Sequence, residues 1–101
     1  MKQITEIPIE WKNISELFIA LGDEQRQRIL LAFESGERMN IVQIVASSKL
    51  SRTAVTHHLK ILHASGALQS EKIGKDVFFW VNKPHIMTAI QNVLDFIKNE
   101  I

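Results

Sequence analysis

Apolar residues near the start of the chain recur at the spacing of one helix face. Four of them fit the i, i+3, i+4, i+7 pattern: Ile14, Leu17, Phe18 and Leu21. This periodicity predicts a first helix over Trp11–Leu21. Asp23 is then suited to cap a second helix over Glu24–Ser35, and Gly36 is suited to end it.

Two further helices are predicted in the middle of the chain, joined by a tight turn at positions 48–50. Asn40, with Gln43 three residues later, resembles a capping box and predicts a short helix over Ile41–Ser47. Ser51 is the expected N-cap of the next helix, which ends at Gly66 because glycine readily adopts the left-handed conformation that closes a helix.

The apolar pattern changes from helical to alternating after Gly66. Ala67–Ile73 and Asp76–Val81, separated by a two-residue turn, predict a β-hairpin, and His85–Asn99 predicts a last helix. The resulting order, α-α-α-α-β-β-α, is mainly helical with one hairpin. A short helix pair followed by a hairpin is typical of a winged helix-turn-helix fold, here expected as a single domain over residues 1–101.

The last predicted helix carries apolar residues on more than one side, which predicts burial on two sides. A chain of 101 residues buries a limited core by itself, so we expect a homodimer formed through the first and last helices. The alternative is that both helices only cover the core of the monomer. The expected interface residues are Ile14, Leu17, Phe18, Leu21, Ile90, Val93, Leu94 and Ile97.

Composition excludes several classes of chemistry. The chain has no cysteine, which excludes disulfides, thiolate metal ligands and thiol redox chemistry. Its first residues lack the apolar stretch of a signal peptide, and no apolar run approaches the roughly 20 residues that span a membrane. We therefore expect a cytoplasmic protein without membrane association.

Charge is distributed unevenly along the chain. The formal net charge is only +1, yet positions 38–75 hold six basic residues and one acidic residue. The local charge of this stretch is therefore +5, and the remainder of the chain carries −4. A basic surface of this kind indicates contact with phosphates, although charge alone fits an ordinary solvated surface equally well.

The helix that follows Ser51 has two distinct sides. Val55, Leu59 and Leu62 form its apolar stripe, while hydroxyl, imidazole and ammonium groups fall on the opposite side. Such groups bind phosphates and base edges in the DNA major groove. With the flanking turn and the hairpin, the predicted DNA-binding residues are Lys49, Ser51, Arg52, Thr53, Thr56, His57, Lys60, Lys72 and Lys75.

The adjacent histidines of this helix point in directions about 100° apart, so they are poorly placed to bind one metal ion. We interpret His58 as a packed, hydrogen-bonded structural residue and His57 as part of the DNA-facing side. For the aromatic residues of the hairpin, Phe78, Phe79 and Trp80, core packing under the wing is favoured over stacking on bases.

The stretch LSRTAVTHHLKIL at positions 50–62 resembles the recognition-helix signature of the ArsR/SmtB family of bacterial winged-helix repressors. Supporting matches are LGD at 21–23, RQRIL at 26–30, SGAL at 65–68 and the glycine of the wing at 74. The resemblance covers about positions 11–99. It implies a homodimer that represses transcription from a palindromic operator in double-stranded DNA, and in many members a ligand, often a metal ion, releases the DNA.

The metal ligands of that family are missing from this chain. Asn40 and Val42 stand where the family's thiolate site places cysteines. The last helix offers only His85, Asp95 and Glu100 in place of the Asp-x-His and His-x-x-Glu ligands. We therefore expect no metal site and no cofactor, and the effector stays unknown.

Two other classes of function were weighed against DNA binding. A winged-helix module for protein–protein contact is the main alternative, but the polar side of the helix after Ser51 lacks the aromatic or aliphatic anchors of such surfaces. An enzyme is not expected, because the sequence shows no phosphate-binding glycine loop, nucleophile–base pair or paired carboxylates.

Overall fold

A computed structural model describes residues 1–12 and 14–101 of the chain. Its described residues form six helices and three strands. The elements are α1 (Ile9–Lys12), α2 (Ser15–Leu21), α3 (Glu24–Ala32), β1 (Met39–Asn40), α4 (Ile41–Ser47), α5 (Arg52–Ala64), β2 (Leu68–Ile73), β3 (Asp76–Val81) and α6 (Lys83–Glu100). The predicted winged helix-turn-helix architecture is confirmed, with α4 and α5 as the helix pair and β2–β3 as the wing.

Side-chain caps begin three of the helices as the sequence predicts. Asp23 accepts hydrogen bonds from the backbone N–H groups of the first turn of α3, at 2.9 and 3.1 Å. Asn40 and Gln43 exchange reciprocal bonds of 2.9 Å at the start of α4, which is the expected capping box. Ser51 caps α5 by accepting from the N–H of Ala54 at 3.1 Å.

The boundaries of the first two predicted helices differ from the structure. Instead of one helix over Trp11–Leu21, the chain forms α1 and α2, with Ile14 in a turn before α2; Asn13 lies outside the described residues. α3 ends at Ala32 rather than at Ser35, because Phe33 adopts an extended backbone and packs its ring against the core.

α6 starts two residues earlier than predicted. Asn82 accepts from the N–H of His85 at 3.3 Å, so its side chain serves as the N-cap of α6. Pro84 then occupies the first turn, where its missing N–H costs no helical hydrogen bond. The helix begins at Lys83 for this reason, and its N-cap lies three residues before the stretch that the periodicity marks.

The strands form one antiparallel sheet in the order β1-β3-β2. β1 was not predicted, since its two residues are too few to show an alternating pattern. In the wing, Leu68 pairs with Val81 and Ile73 with Asp76, leaving Gly74-Lys75 as the predicted two-residue turn. Gly74 has φ = 63°, the left-handed conformation that such turns require.

The core lies where α2, α3, α4, α5 and the base of the wing meet. Its fully buried side chains come from every one of these elements: Leu17, Ile29, Ile44, Val55, Leu62 and Leu68. Trp11 packs against this core and meets Phe18 and Phe96 edge-on, with ring centroids 6.3 and 5.7 Å away. None of the helices built from the described residues is long and apolar enough to cross a membrane.

A buried guanidinium ties α5 to the first part of the fold. Arg26 of α3 is only 9% exposed. It donates to the carbonyl oxygens of Ile19 and Ala20, each at 3.0 Å, and approaches Nδ1 of His58 at 3.3 Å. Arg26 therefore links α2, α3 and α5 through one side chain.

The end of α5 requires a glycine for two separate reasons. Gly66 has φ = 81°, and a Cβ placed there would lie 2.6 Å from Nε2 of His85. That nitrogen donates to the carbonyl oxygen of Ser65 at 3.1 Å, so the ring cannot move aside without losing the bond. Gly36 has a similar φ of 74° but open space around it.

Gly36→Ala and Gly66→Ala separate these two causes. Gly36→Ala should reduce the free energy of unfolding by about 1–2 kcal/mol through backbone strain alone. Gly66→Ala should cost about 1 kcal/mol more, because the His85 ring is displaced and its hydrogen bond is lost. Urea unfolding of both variants at one protein concentration measures the difference, and equal losses would contradict this account of the His85 contact.

Candidate nucleic-acid interface

Helix α5 presents one side to the core and the other to solvent. Val55, Leu59 and Leu62 are at most 3% exposed, as the predicted apolar stripe requires. On the opposite side, Thr53, His57 and Lys60 are exposed and Thr56 is half-buried. We call these four residues the polar stripe. The predicted division of α5 into a buried and an exposed side is therefore confirmed.

Two hydroxyls at the start of α5 already serve the helix itself. Thr56 donates its hydroxyl hydrogen to the carbonyl of Arg52 at 2.8 Å, so its oxygen lone pairs and its methyl group are what it presents outward. Ser51 uses an oxygen lone pair as the N-cap and keeps its hydroxyl hydrogen for an outside acceptor. The positive charge of this face comes from Arg52 and Lys60, which are both exposed.

An ion pair removes two residues from the charge balance of the basic stretch. Arg38 Nη1 lies 2.9 Å from Glu71 Oε2, and the guanidinium stacks 3.9 Å above the ring of Trp80. Glu71 is the single acid of positions 38–75, so it cancels Arg38. The five cations that remain are all exposed and all belong to the predicted DNA-binding set: Lys49, Arg52, Lys60, Lys72 and Lys75.

The two faces of the wing differ in what they meet. Side chains alternate along a strand, so Leu68, Ser70 and Lys72 share the face that we call inner. Leu68 is buried in the core, and Ser70 Oγ lies 3.1 Å from Nε2 of His63 on α5, which shows that the inner face is turned toward α5. Lys72 therefore stands on the same side of the molecule as α5.

The aromatic residues of β3 divide between these faces. Phe79 pairs with Ser70 and packs against the core from the inner face, as predicted for core packing under the wing. Trp80 belongs to the outer face, where its Nε1–H donates to Gln69 at 3.0 Å beneath Arg38. Phe79 thus packs the inner face of the wing against the core, and Trp80 packs its outer face against Arg38.

His58 is the structural histidine that the sequence predicts. A guanidinium has no acceptor, so Nδ1 of His58 must accept from Arg26 and the ring carries its proton on Nε2. Burial, followed by the nearby charge of Arg26, lowers the pKa of His58 below its ordinary value of 6.5, while Asp23 opposes the shift. The pKa of Asp23 is lowered in turn, chiefly by the hydrogen bond from the N–H of Arg26.

The acidic and imidazole groups of α6 do not converge. His85 donates to the carbonyl of Ser65, and Asp95 accepts from Gln91 at 2.8 Å. Within the described part of the chain, no cluster of three or more His, Asp or Glu side chains is arranged to hold a metal ion. Asn40, at the position of a family ligand, is engaged in its capping box.

The eight predicted interface residues fall into two groups. Those with little surface left for a partner are Ile14 and Leu17, buried in the core, and Leu21 and Val93, half-buried against it. Those with more than two-fifths of their surface exposed are Phe18, Ile90, Leu94 and Ile97. Any contact with a second chain through these helices therefore depends on the second group.

Comparison with known proteins identifies relatives of one family. Residues 23–70 match the family model described as bacterial regulatory protein, arsR family. A transcriptional repressor SmtB homolog from Synechocystis is 28% identical over 87 residues, which are 86% of this chain and 65% of that protein. The transcriptional repressor SdpR of Bacillus subtilis is 25% identical over 84 residues, which are 83% of this chain and 92% of that protein.

The fold also matches a solved structure over most of its length. An ArsR-like transcriptional regulator from Rhodococcus superposes with a TM-score of 0.78, at 24% identity, covering 89% of this chain and 83% of that one. The matched family segment runs from the Asp23 cap to Ser70 in β2, so it contains α3, β1, α4, α5 and the first three residues of the wing.

The lowered pKa of His58 predicts a loss of stability in mild acid. Between the lowered folded value and about 6.5, the unfolded chain binds more protons than the folded one, so the free energy of unfolding falls as the pH drops through this window. His58→Gln removes the titrating group and keeps an acceptor for Arg26, so it should flatten the profile below about pH 6.5.

Urea unfolding at a series of pH values measures the profile, with an exposed histidine near the end of the same helix changed in His63→Gln as the matched control. The control should retain the slope of the unaltered protein. Identical slopes for His58→Gln and the unaltered protein would show that His58 does not link stability to pH.

Proposed function

Because this chain belongs to the ArsR family of bacterial winged helix-turn-helix regulators, we propose that it binds double-stranded DNA as a homodimeric transcriptional repressor. One observation carries the proposal: after Arg38 and Glu71 cancel, the five remaining cations of the basic stretch lie on the helix pair and the wing. The proposal contains no catalytic step, and it places the protein in the cytoplasm, where its DNA target lies.

The geometry supports insertion of α5 into the major groove. Its first turns carry the polar stripe, and the N-terminal part of such a helix is the part that reaches base edges. The methyl group of Thr56 suits a thymine methyl, and His57 suits a base acceptor. Arg52 stands at the helix N-terminus, where unpaired backbone N–H groups also attract phosphate.

The wing supports contact with the flanking backbone. Lys72 shares the inner face that is turned toward α5, and Lys75 lies in the turn at the tip. These lysines would contribute to affinity rather than to sequence specificity, because phosphate contacts position a protein on DNA without distinguishing the bases. A protein-interaction role for the same surface has no comparable support, since the polar stripe presents no large apolar side chain.

The support for a homodimer comes from the two apolar stripes of α6. Ile86, Ala89 and Val93 pack against the chain's own core. A second stripe recurs at alternating steps of three and four residues and stays exposed: Met87, Ile90, Leu94, Ile97 and Ile101. This spacing suits a facing helix of a second copy. Phe18 on α2 is 41% exposed as well.

Two-fold symmetry of such a dimer implies a palindromic operator, with half-sites about one turn of DNA apart. Metal is not part of the proposal. Asn40 and Val42 occupy the positions of the family's thiolate ligands, and neither side chain can replace a thiolate.

Selection of bound sequences from a random DNA pool tests the proposed function. The protein should enrich a palindrome. Thr56→Ala and His57→Ala should change the preferred bases. Lys60→Ala should weaken binding to all DNA sequences about equally and reduce the slope of log affinity against log salt by about 1. Lys98→Ala, at the exposed end of α6, is the control for loss of a lysine and should bind as the unaltered protein does. Failure to enrich any sequence, with unchanged affinity in all variants, would refute the proposal.

The dimer is tested by a charge placed in the exposed stripe of α6. The unaltered protein should sediment at about twice its chain mass of 11.6 kDa, and Leu94→Lys should sediment as a monomer at micromolar concentration. Leu31→Lys changes a residue that is 82% exposed on α3, away from the stripe, and should stay dimeric. A monomeric unaltered protein, or a dimeric Leu94→Lys variant, would contradict the proposed interface.

A further inference from the structure

A cleft of about 280 Å³ separates α5 from the inner face of the wing. Its walls are apolar: Ile41 from the start of α4, Leu59 from α5 and Phe79 from β3. Four successive elements therefore border one small apolar space, since β2 contributes Ser70 to the same lining.

The opening of the cleft is polar and cationic. Lys60 and His63 stand one helical turn apart on α5, and both line the cleft. Ser70 Oγ lies 3.1 Å from Nε2 of His63, so a hydroxyl of β2 and an imidazole of α5 form a pair in the same lining. The lining contains no acidic side chain, and the chain has none between Arg38 and Ser70. The opening is therefore suited to an anion.

We propose that this cleft binds a small planar aromatic carboxylate. The ring would lie among Ile41, Leu59 and Phe79, so that its flat surface packs against the aromatic ring of Phe79. The carboxylate would remain at the opening, paired with Lys60 and hydrogen-bonded at the Ser70–His63 pair. The volume is at the lower end of the range for ligand pockets, which limits the ligand to one or two fused rings.

The position of the cleft gives such a ligand a regulatory consequence, and this step rests on the proposed function. Thr56 and Lys60 line the cleft and also belong to the polar stripe that faces DNA. A carboxylate held at Lys60 neutralises a cation that would otherwise meet a phosphate. Ligand and DNA therefore weaken each other's binding by the same factor, since linkage between two binding equilibria is reciprocal.

Binding is measured first in the absence of DNA. The probe is 2-naphthoate, and its uncharged counterpart 2-naphthalenemethanol has the same ring system. Titration followed by methyl NMR should give saturable shifts at Ile41 and Leu59 for the acid. The alcohol should bind about threefold to tenfold more weakly, because an ion pair at an open site has modest strength. Equal binding of acid and alcohol would overturn the assignment of an anion to the opening.

Two variants locate the site. Lys60→Gln should weaken the binding of 2-naphthoate by a similar factor. Lys49 lies in the turn before α5, so Lys49→Gln should leave the affinity for 2-naphthoate unchanged. Ser70→Leu fills the cleft and removes the hydroxyl, so binding should be lost. Circular dichroism and the positions of unrelated methyl signals verify that each variant is folded. Shifts centred elsewhere, or none at millimolar probe, would overturn the proposal.

The regulatory consequence is then measured on the operator selected from the DNA pool. Saturating 2-naphthoate should weaken DNA binding by the unaltered protein. Ser70→Leu should bind DNA equally well with and without the probe, because Ser70 lies outside the residues assigned to DNA. An effect of the probe on this variant equal to that on the unaltered protein would overturn the link. Absence of DNA binding without any probe would instead refute the proposed function, and it would leave the NMR result standing.

Discussion

The orientation of α5 depends on the buried guanidinium of Arg26. A charge that is 9% exposed requires partners on every side, and two come from the last turn of α2, where the helix dipole is negative. The third partner, His58, lies on α5 itself. Apolar contacts through Val55 and Leu62 hold the helix against the core but leave its rotation less strictly defined. The directional bonds of Arg26 fix that rotation, and with it the direction in which the polar stripe points.

Local features of the fold were predictable from sequence because their signals are local. The caps at Asp23, Asn40 and Ser51 involve residues two or three positions away along the chain. The Arg26–His58 contact joins residues 32 positions apart, and no periodic pattern in the sequence predicts it. The end of α3 was misplaced for a related reason: Phe33 leaves the helix to reach a core whose other members are remote in sequence.

The candidate site was predictable to the same extent. A period of 3.6 residues separates the polar stripe from Val55 and Leu59, so the sequence reveals which side of α5 is exposed. It does not reveal that Glu71 neutralises Arg38, since strand pairing and the loop before β1 bring them together. The interface prediction shows the same limit: a stripe such as Ile14 and Leu17 identifies a buried face without indicating whether its own chain or a partner covers it.

The contact of Arg38 with Trp80 has a spectroscopic consequence. The chain has two tryptophans, and they have different surroundings: Trp80 lies in the wing beneath Arg38, and Trp11 lies against Phe18 and Phe96. Since a nearby cation and a changed hydration both alter indole emission, a variant with Trp11 replaced by phenylalanine would carry a single intrinsic fluorophore at the wing. Movement of the wing could then be followed optically in this variant, without an attached dye.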